Sequence, residues 1–150
     1  MNSIDLLVID PSPSDARHAV AAMRQVEPDA ASVRLPDTRQ ALRLMFEEGL
    51  LVREPQVPRL ILCACVESEL DSFMDRLRSE QPTREVPVIV AFGVRERESV
   101  ERSRRLGAQM HVWKNSNRDQ YCREIQRAMI LLAHECASSA REHYGALAYA

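Results

Sequence analysis

Asp10 and Lys114 are the charged groups of this chain best placed for chemistry, because each directly follows a short apolar run. A carboxylate and an ammonium at strand ends could together hold an anion or a metal ion, or could neutralise one another. In open α/β sheets the ligand crevice lies beyond the carboxyl ends of the strands. By that rule its lining is Asp10 and Pro11 after the first strand, Ala64 after the third, Phe92 and Gly93 after the fourth, and Lys114 after the fifth. Mg²⁺ demands a near-octahedral shell of hard oxygens, and one carboxylate beside a proline leaves most of its charge uncompensated. A lysine left unpaired in a partly buried crevice is costly, so pairing of Lys114 with Asp10 is expected.

Other reactive residue types offer less. Cys63, Cys65, Cys122 and Cys136 read as reduced, small apolar residues of an intracellular protein. Metal-binding cysteine pairs usually sit two to four residues apart on turns and need a second pair, whereas Cys63-x-Cys65 falls within an apolar run with no matching pair, so no metal site is expected. His18, His134 and His143 lack the cysteines or acids that would complete a triad or a ligand set and are expected at the surface.

The elements that must position these groups alternate along the chain. Residues 58–66, Pro-Arg-Leu-Ile-Leu-Cys-Ala-Cys-Val, form an unbroken apolar run too short for a buried helix and suited to a central parallel strand covered on both faces. Ile4 to Ile9, Val86 to Phe92 and Gln109 to Trp113 are similar, and residues 31–35 suit an edge strand. The prolines of Asp10-Pro11-Ser12-Pro13 make a turn, after which Ser12 or Ser14 caps a helix to about Val26 with Ala16, Ala19, Val20 and Met23 inward. Asp37 or Thr38 caps a second helix, carrying Ala41, Leu42, Met45 and Phe46 as far as Gly49. A third spans Glu67 to Ser79 with Leu70, Phe73, Met74 and Leu77 inward, and a fourth, from about Arg95 to Leu106, carries mixed charges and stops at Gly107. This order predicts an α/β, doubly wound, three-layer sandwich.

Composition agrees with a single folded domain of 150 residues, about 1–135 as core and about 136–150 as helical extension or tail. A net charge of −2 supplies no basic field for nucleic acid. The N-terminus lacks the features of a signal peptide and no run approaches membrane-spanning length, so no membrane association and a cytoplasmic location are expected.

The chain resembles the receiver domains of two-component response regulators, and among them the small stand-alone receivers that partner bacterial and cyanobacterial phytochromes. The resemblance rests on Leu7-Val8-Ile9-Asp10-Pro11-Ser12-Pro13-Ser14-Asp15-Ala16-Arg17, on Pro58-Arg59-Leu60-Ile61-Leu62, on Pro87-Val88-Ile89-Val90, and on Leu106-Gly107-Ala108 with Lys114 shortly after. The long, proline-containing loop from Gly49 to Pro58 resembles the phytochrome-partner subgroup. It implies a five-stranded parallel sheet in the flavodoxin-like order 2-1-3-4-5. Receivers hold Mg²⁺ with two adjacent acids and the phosphoryl-accepting aspartate, bind phosphoryl oxygens with a Thr or Ser, and pair a lysine with the aspartyl phosphate. By position Asp10 is the first acid and Lys114 the lysine, but the second acid is Pro11, the acceptor is Ala64 and the Thr/Ser is Phe92, whose ring could fill the crevice. The usual Lys-Pro is Lys114-Asn115, for which a trans bond is expected. His111 stands where a Tyr or Phe normally switches, and is expected to be a partly exposed strand residue.

The last helix is longer than a receiver needs. Asn117-Arg118-Asp119-Gln120 has the form of a capping box, with Gln120 reaching back. Tyr121, Ile125, Ala128, Met129, Leu132 and Cys136 share the face expected to pack on the sheet, whereas Ile130 and Leu131 make residues 128–133 apolar all round, implying a second covering surface.

The resulting expectation is a pseudo-receiver: no enzyme and no cofactor, signalling by protein contact with a sensor histidine kinase, a phytochrome-type sensor or another regulator. The interaction surface is His111, Trp113, Ile130, Leu131 and Leu132, with homodimerisation through the last helix and the fifth-strand region. Two alternatives stand beside it: a phosphorylation-dependent switch using Ser12, Ser68 or Glu67 as unconventional acceptor, and a small-ligand binder at the crevice, against which there is no glycine-rich loop after the first strand.

Overall fold

The computed structural model describes residues 4–47, 56–93 and 97–148, with the backbone alone for residue 47 and for 136–148. The helix stop at Gly49, most of the loop that follows and the helix start at Arg95 lie outside the described residues, as do the side chains of Cys136 and His143. Five strands, β1 (Leu6–Ile9), β2 (Ser32–Leu35), β3 (Leu60–Cys63), β4 (Val88–Phe92) and β5 (Met110–Trp113), alternate with helices α1 (Pro13–Val26), α2 (Thr38–Leu42), α3 (Glu67–Ser79), α4 (Arg97–Arg105) and α5 (Arg118–Ala148). The strands are all parallel in the order β2-β1-β3-β4-β5, as expected.

Alternation along the strands divides the core in two. Leu6, Val8, Leu60, Leu62, Ala64, Ile89, Ala91 and Val112 face α1 and α5, whereas Leu7, Ile9, Ile61, Cys63, Val88 and Val90 face α2 and α3. Burial on both faces explains why β1 and β3 read as unbroken apolar runs. The stripe of α3 is buried as its spacing predicts, with Leu70, Phe73, Met74 and Leu77 inside.

Several boundaries differ from expectation. Of the apolar run 58–66 only Leu60–Cys63 is strand, so Cys65 lies beyond it in the turn to α3. The last ladder bond is Ala64 N–H to the Ile9 carbonyl at 2.8 Å. Beyond it residues 65 and 66 pair with neither β1 nor β4. Val66 therefore emerges 61% exposed as the cap residue of α3. In α1 Ala16, Ala19 and Met23 are buried and Val20 packs partly buried against the same core, and Ala22 joins them because α1 packs against α5 as well as the sheet. After α2 the chain continues as a π-helical turn over Arg43–Glu47, which the apolar spacing does not announce.

The helix ends follow the local chemistry. Ser12 caps α1 by accepting from Asp15 N–H at 3.3 Å, and Pro13 occupies the first helical position. Asp37 caps α2 through Gln40 N–H at 2.8 Å. Gly107 adopts φ +102° after α4. At α5 only half of the capping box forms: Asn117 Oδ1 accepts from Gln120 N–H at 3.2 Å, but Asn117 N–H donates to Asn115 Oδ1 at 2.7 Å rather than to Gln120. No cis peptide occurs among the described residues, so Lys114-Asn115 is trans.

Candidate functional site

The carboxyl ends of β1, β3 and β5 bring Asp10, Ala64 and Lys114 to the α1/α5 side of the sheet. Asp10 is the residue at which β1 leaves the sheet; its N–H donates to the Leu35 carbonyl of β2 and its Oδ1 accepts from Ser12 N–H at 2.8 Å. Lys114 is fixed by its own N–H, which donates to the Phe92 carbonyl at 2.7 Å. Its ammonium Nζ lies 2.8 and 2.7 Å from the two carboxylate oxygens of Asp10 and 3.0 Å from Asp15 Oδ2.

Asp15 is the member of this cluster that the sequence reading missed. It sits in the first turn of α1, where an acidic residue near a helix N-terminus is ordinary. The local signal was its place three residues after the Ser12 cap; nothing nearby reveals that this turn faces a lysine a hundred residues on. Burial alone would lower the Lys114 pKa, but the hydrogen bonds and charges of Asp10 and Asp15 outweigh it and raise the value above 10.5. Burial likewise works to raise the Asp15 pKa, and the Lys114 hydrogen bond and charge, Ser12 and Arg118 bring it below 3.8. Tyr121 lies beneath the cluster at 2% exposure, and its hydroxyl finds no partner among the described residues. Burial first, then the charges of Asp10 and Asp15, push its pKa far up.

Two carboxylates around one ammonium leave the cluster one negative charge, an unfavourable receptor for a phosphate. The donor set also misfits Mg²⁺, which needs a near-octahedral shell of hard oxygens, whereas both carboxylates here are already paired with the Lys114 ammonium. Among the described residues no group of three or more His, Cys, Asp or Glu is arranged to hold a metal ion. Ala64, 6% exposed, adds no polar atom. The groove beside Asp10, bounded by Pro11, Pro13, Arg34 and Pro36, encloses about 250 Å³, below the usual range for small-molecule sites.

Phe92 turns elsewhere. Its ring stacks on His111 with centroids 6.0 Å apart and planes 16° from parallel, on the side of the sheet that carries Val90 and Cys63. His111 Nε2 is buried without a partner among the described residues, and burial, with the Arg104 charge, lowers the imidazole pKa. Gly93 is exposed, with open space beside it. Among the other named residues, Ser12 is committed to its cap, Glu67 accepts from Ser99 Oγ, and Ser68 is exposed in the first turn of α3. Trp113 N–H donates to Glu124 Oε2 of α5 at 3.0 Å. Leu132 points into the α1/α5 core at 7% exposure, a correction to its place on the expected interaction surface, and leaves Ile130 at 49% and Leu131 at 43% as the exposed apolar pair.

No protein-family model matches the sequence, and no curated protein matches it. Solved structures do. A response regulator receiver domain from Rhodospirillum rubrum superposes with a TM-score of 0.72 at 16% identity, covering 87% of this chain and 94% of that one. The phosphorylated cyanobacterial phytochrome response regulator RcpA gives 0.70 at 15% identity, over 85% and 91%. The bacteriophytochrome response regulator RtBRR gives 0.65 at 22% identity, over 83% and 76%. The fold is that of receiver domains. At these identities the likeness of the receiver fold concerns architecture, and function has to be argued from the residues. Among the described residues no helix, α5 included, is long and apolar enough to cross a membrane.

Proposed function

We propose that this chain is a pseudo-receiver of a bacterial two-component-type pathway, which takes up no phosphoryl group at the end of β3 and signals through protein contacts in the cytoplasm. The observation that carries this reading is the commitment of Lys114 to Asp10 and Asp15 beside Ala64. Phosphoryl transfer works by positioning a nucleophile and neutralising the developing charge, usually through a metal. Here the receiver acceptor position holds an alanine and the lysine that would meet the aspartyl phosphate is neutralised in advance.

A protein without that reaction is no enzyme and needs no cofactor; its output is its surface. The partner is a sensor histidine kinase, a phytochrome-type sensor or another regulator, a reading supported by the phytochrome response regulators among its structural neighbours. The contact surface consists of α4, of His111 and Trp113 on β5, and of Ile130 and Leu131 on α5, through which two copies associate.

The test is the intact mass of the protein after incubation with acetyl phosphate and Mg²⁺, beside a receiver that accepts phosphate. No added mass is expected, and none in an Ala64→Asp variant, because Pro11 stays in place and Lys114 stays paired. A stable phosphoryl adduct on the unaltered chain, at Ser12, Ser68 or Glu67, would replace this reading with a phosphorylation-dependent switch.

A further inference from the structure

Cys63 and Cys65 are brought together by the turn that ends β3. The alternation of side chains puts residues i and i+2 on one face, and both cysteines pack against the α2/α3 core with Ala64 turned to the other side. Their sulfurs are 3.3 Å apart, a thiol–thiol hydrogen bond. Cys63 is fully buried, whereas Cys65, beyond the strand, is partly open to solvent. Neither residue has a part in the Asp10–Lys114–Asp15 cluster.

We infer that Cys63 and Cys65 form a dithiol modification site that a hydroperoxide converts to an intramolecular disulfide. Two residues of strand separate Cα atoms by about 6.4–6.8 Å, at the upper end of the roughly 4.4–6.8 Å that disulfides span. The sulfurs must close from 3.3 Å to about 2.05 Å. That movement falls on residues 64–66, which lie outside the sheet ladder apart from the single Ala64 N–H bond.

The accessible sulfur reacts first. The Cys65 thiolate, having given up its proton to solvent, attacks one peroxide oxygen; the O–O bond breaks, the leaving alkoxide or hydroxide takes a proton to become an alcohol or water, and Cys65 becomes a sulfenic acid. Cys63 then attacks the Cys65 sulfur, the S–O bond breaks, and the hydroxide leaves as water with the Cys63 proton. Two thiols lose two electrons and two protons in all, and the peroxide gains both. Cys63, at 0% exposure, is closed to peroxide and does not react with it by itself; the hydrogen bond to Cys65, and then burial, raise its pKa. The disulfide closes a small ring around Ala64 and ties the end of β3 to the start of α3, where Val66 is displayed.

The experiment treats the full chain with one equivalent of hydrogen peroxide, then denatures it in an alkylating reagent and cleaves after Arg59 and Arg76. The fragment Leu60–Arg76 should be lighter by two hydrogens and carry no alkyl group, with full recovery of both alkylation sites after dithiothreitol. A Cys122→Ala/Cys136→Ala variant should behave identically. In Cys65→Ser, Cys63 should stay unoxidised and fully alkylatable. Amide exchange at residues 65–67 should slow in the oxidised form while the far-ultraviolet dichroism is retained. The assignment is overturned if Cys65 accumulates sulfinic acid while Cys63 takes the label, if both take the label, or if Cys63 oxidises equally in Cys65→Ser.

Discussion

Lys114 shows how one ammonium organises its neighbours. It reaches two carboxylates, Asp10 at 3% exposure and Asp15 in the first turn of α1. Lys114→Met would strand a buried carboxylate, and the expected loss is about 3 kcal/mol of unfolding free energy near neutral pH, read by urea denaturation. Asp10→Asn combined with Lys114→Met should cost less than the sum of the single changes, because the stranded charge is gone. The pH dependence follows from the shifts. Because the folded Asp15 pKa is lowered, its share of the stability is present above 3.8 and lost as the pH falls through the lower folded value. Because the folded Lys114 pKa is raised, its share is complete below 10.5 and lost as the pH rises through the higher folded value. The gap between wild type and Lys114→Met should therefore be widest between these limits and shrink at both ends.

At the C-terminal end of α3 a single side chain gathers several backbone carbonyls. Arg78, near the end of α3, donates to the carbonyls of Thr83 at 3.3 Å, Arg84 at 2.8 Å, Val86 at 2.9 Å and Gly107 at 2.8 Å, and to Gln109 Oε1 at 3.3 Å. It thereby joins the turn before β4 to the turn before β5. A guanidinium fork spans these acceptors and a single ammonium does not, so Arg78→Lys should lose about 2–4 kcal/mol. Gly107 is required beside it for two reasons: φ +102° disfavours any side chain, and a Cβ would stand 2.8 Å from Arg78 Nε. Gly107→Ala should cost about 1–2 kcal/mol in thermal or denaturant unfolding. The stop at Gly107 was legible because glycine after a charged helix is a strong local signal. The role of Arg78 was not, since an arginine in a helix's last turn is also what an exposed helix end prefers.

At the scale of the molecule the open feature is α5, whose 31 residues span about 46 Å at ~1.5 Å per residue. One face, with Tyr121, Ile125, Ala128, Met129 and Leu132, is covered by α1 and the sheet. Ile130 and Leu131 are the large apolar residues of α5 described as exposed. If two copies cover that pair, light scattering should give twice the chain mass of 17.1 kDa, and Ile130→Glu with Leu131→Glu should halve it while the far-ultraviolet dichroism of the folded chain is retained. A wild-type chain that scatters as a monomer at the same concentration would assign the pair to a different protein.

Sequence alone determined the alternation of strands and helices, the parallel sheet with its two buried faces, the inward stripe of α3 and a cap at Ser12 or Ser14, because each is set by side-chain period or by neighbours within a helical turn. It also named Asp10, Ala64 and Lys114 as neighbours, once strand ends were known to converge. Only tertiary structure decided where β3 stops, since that depends on how far its ladders with β1 and β4 run, and that α1 buries Ala22, since that depends on α5. It alone brought Asp15 to Lys114 and turned Phe92 onto His111. Those are through-space facts: side-chain direction and the packing of distant elements settle them, and neither leaves a periodic trace along the chain.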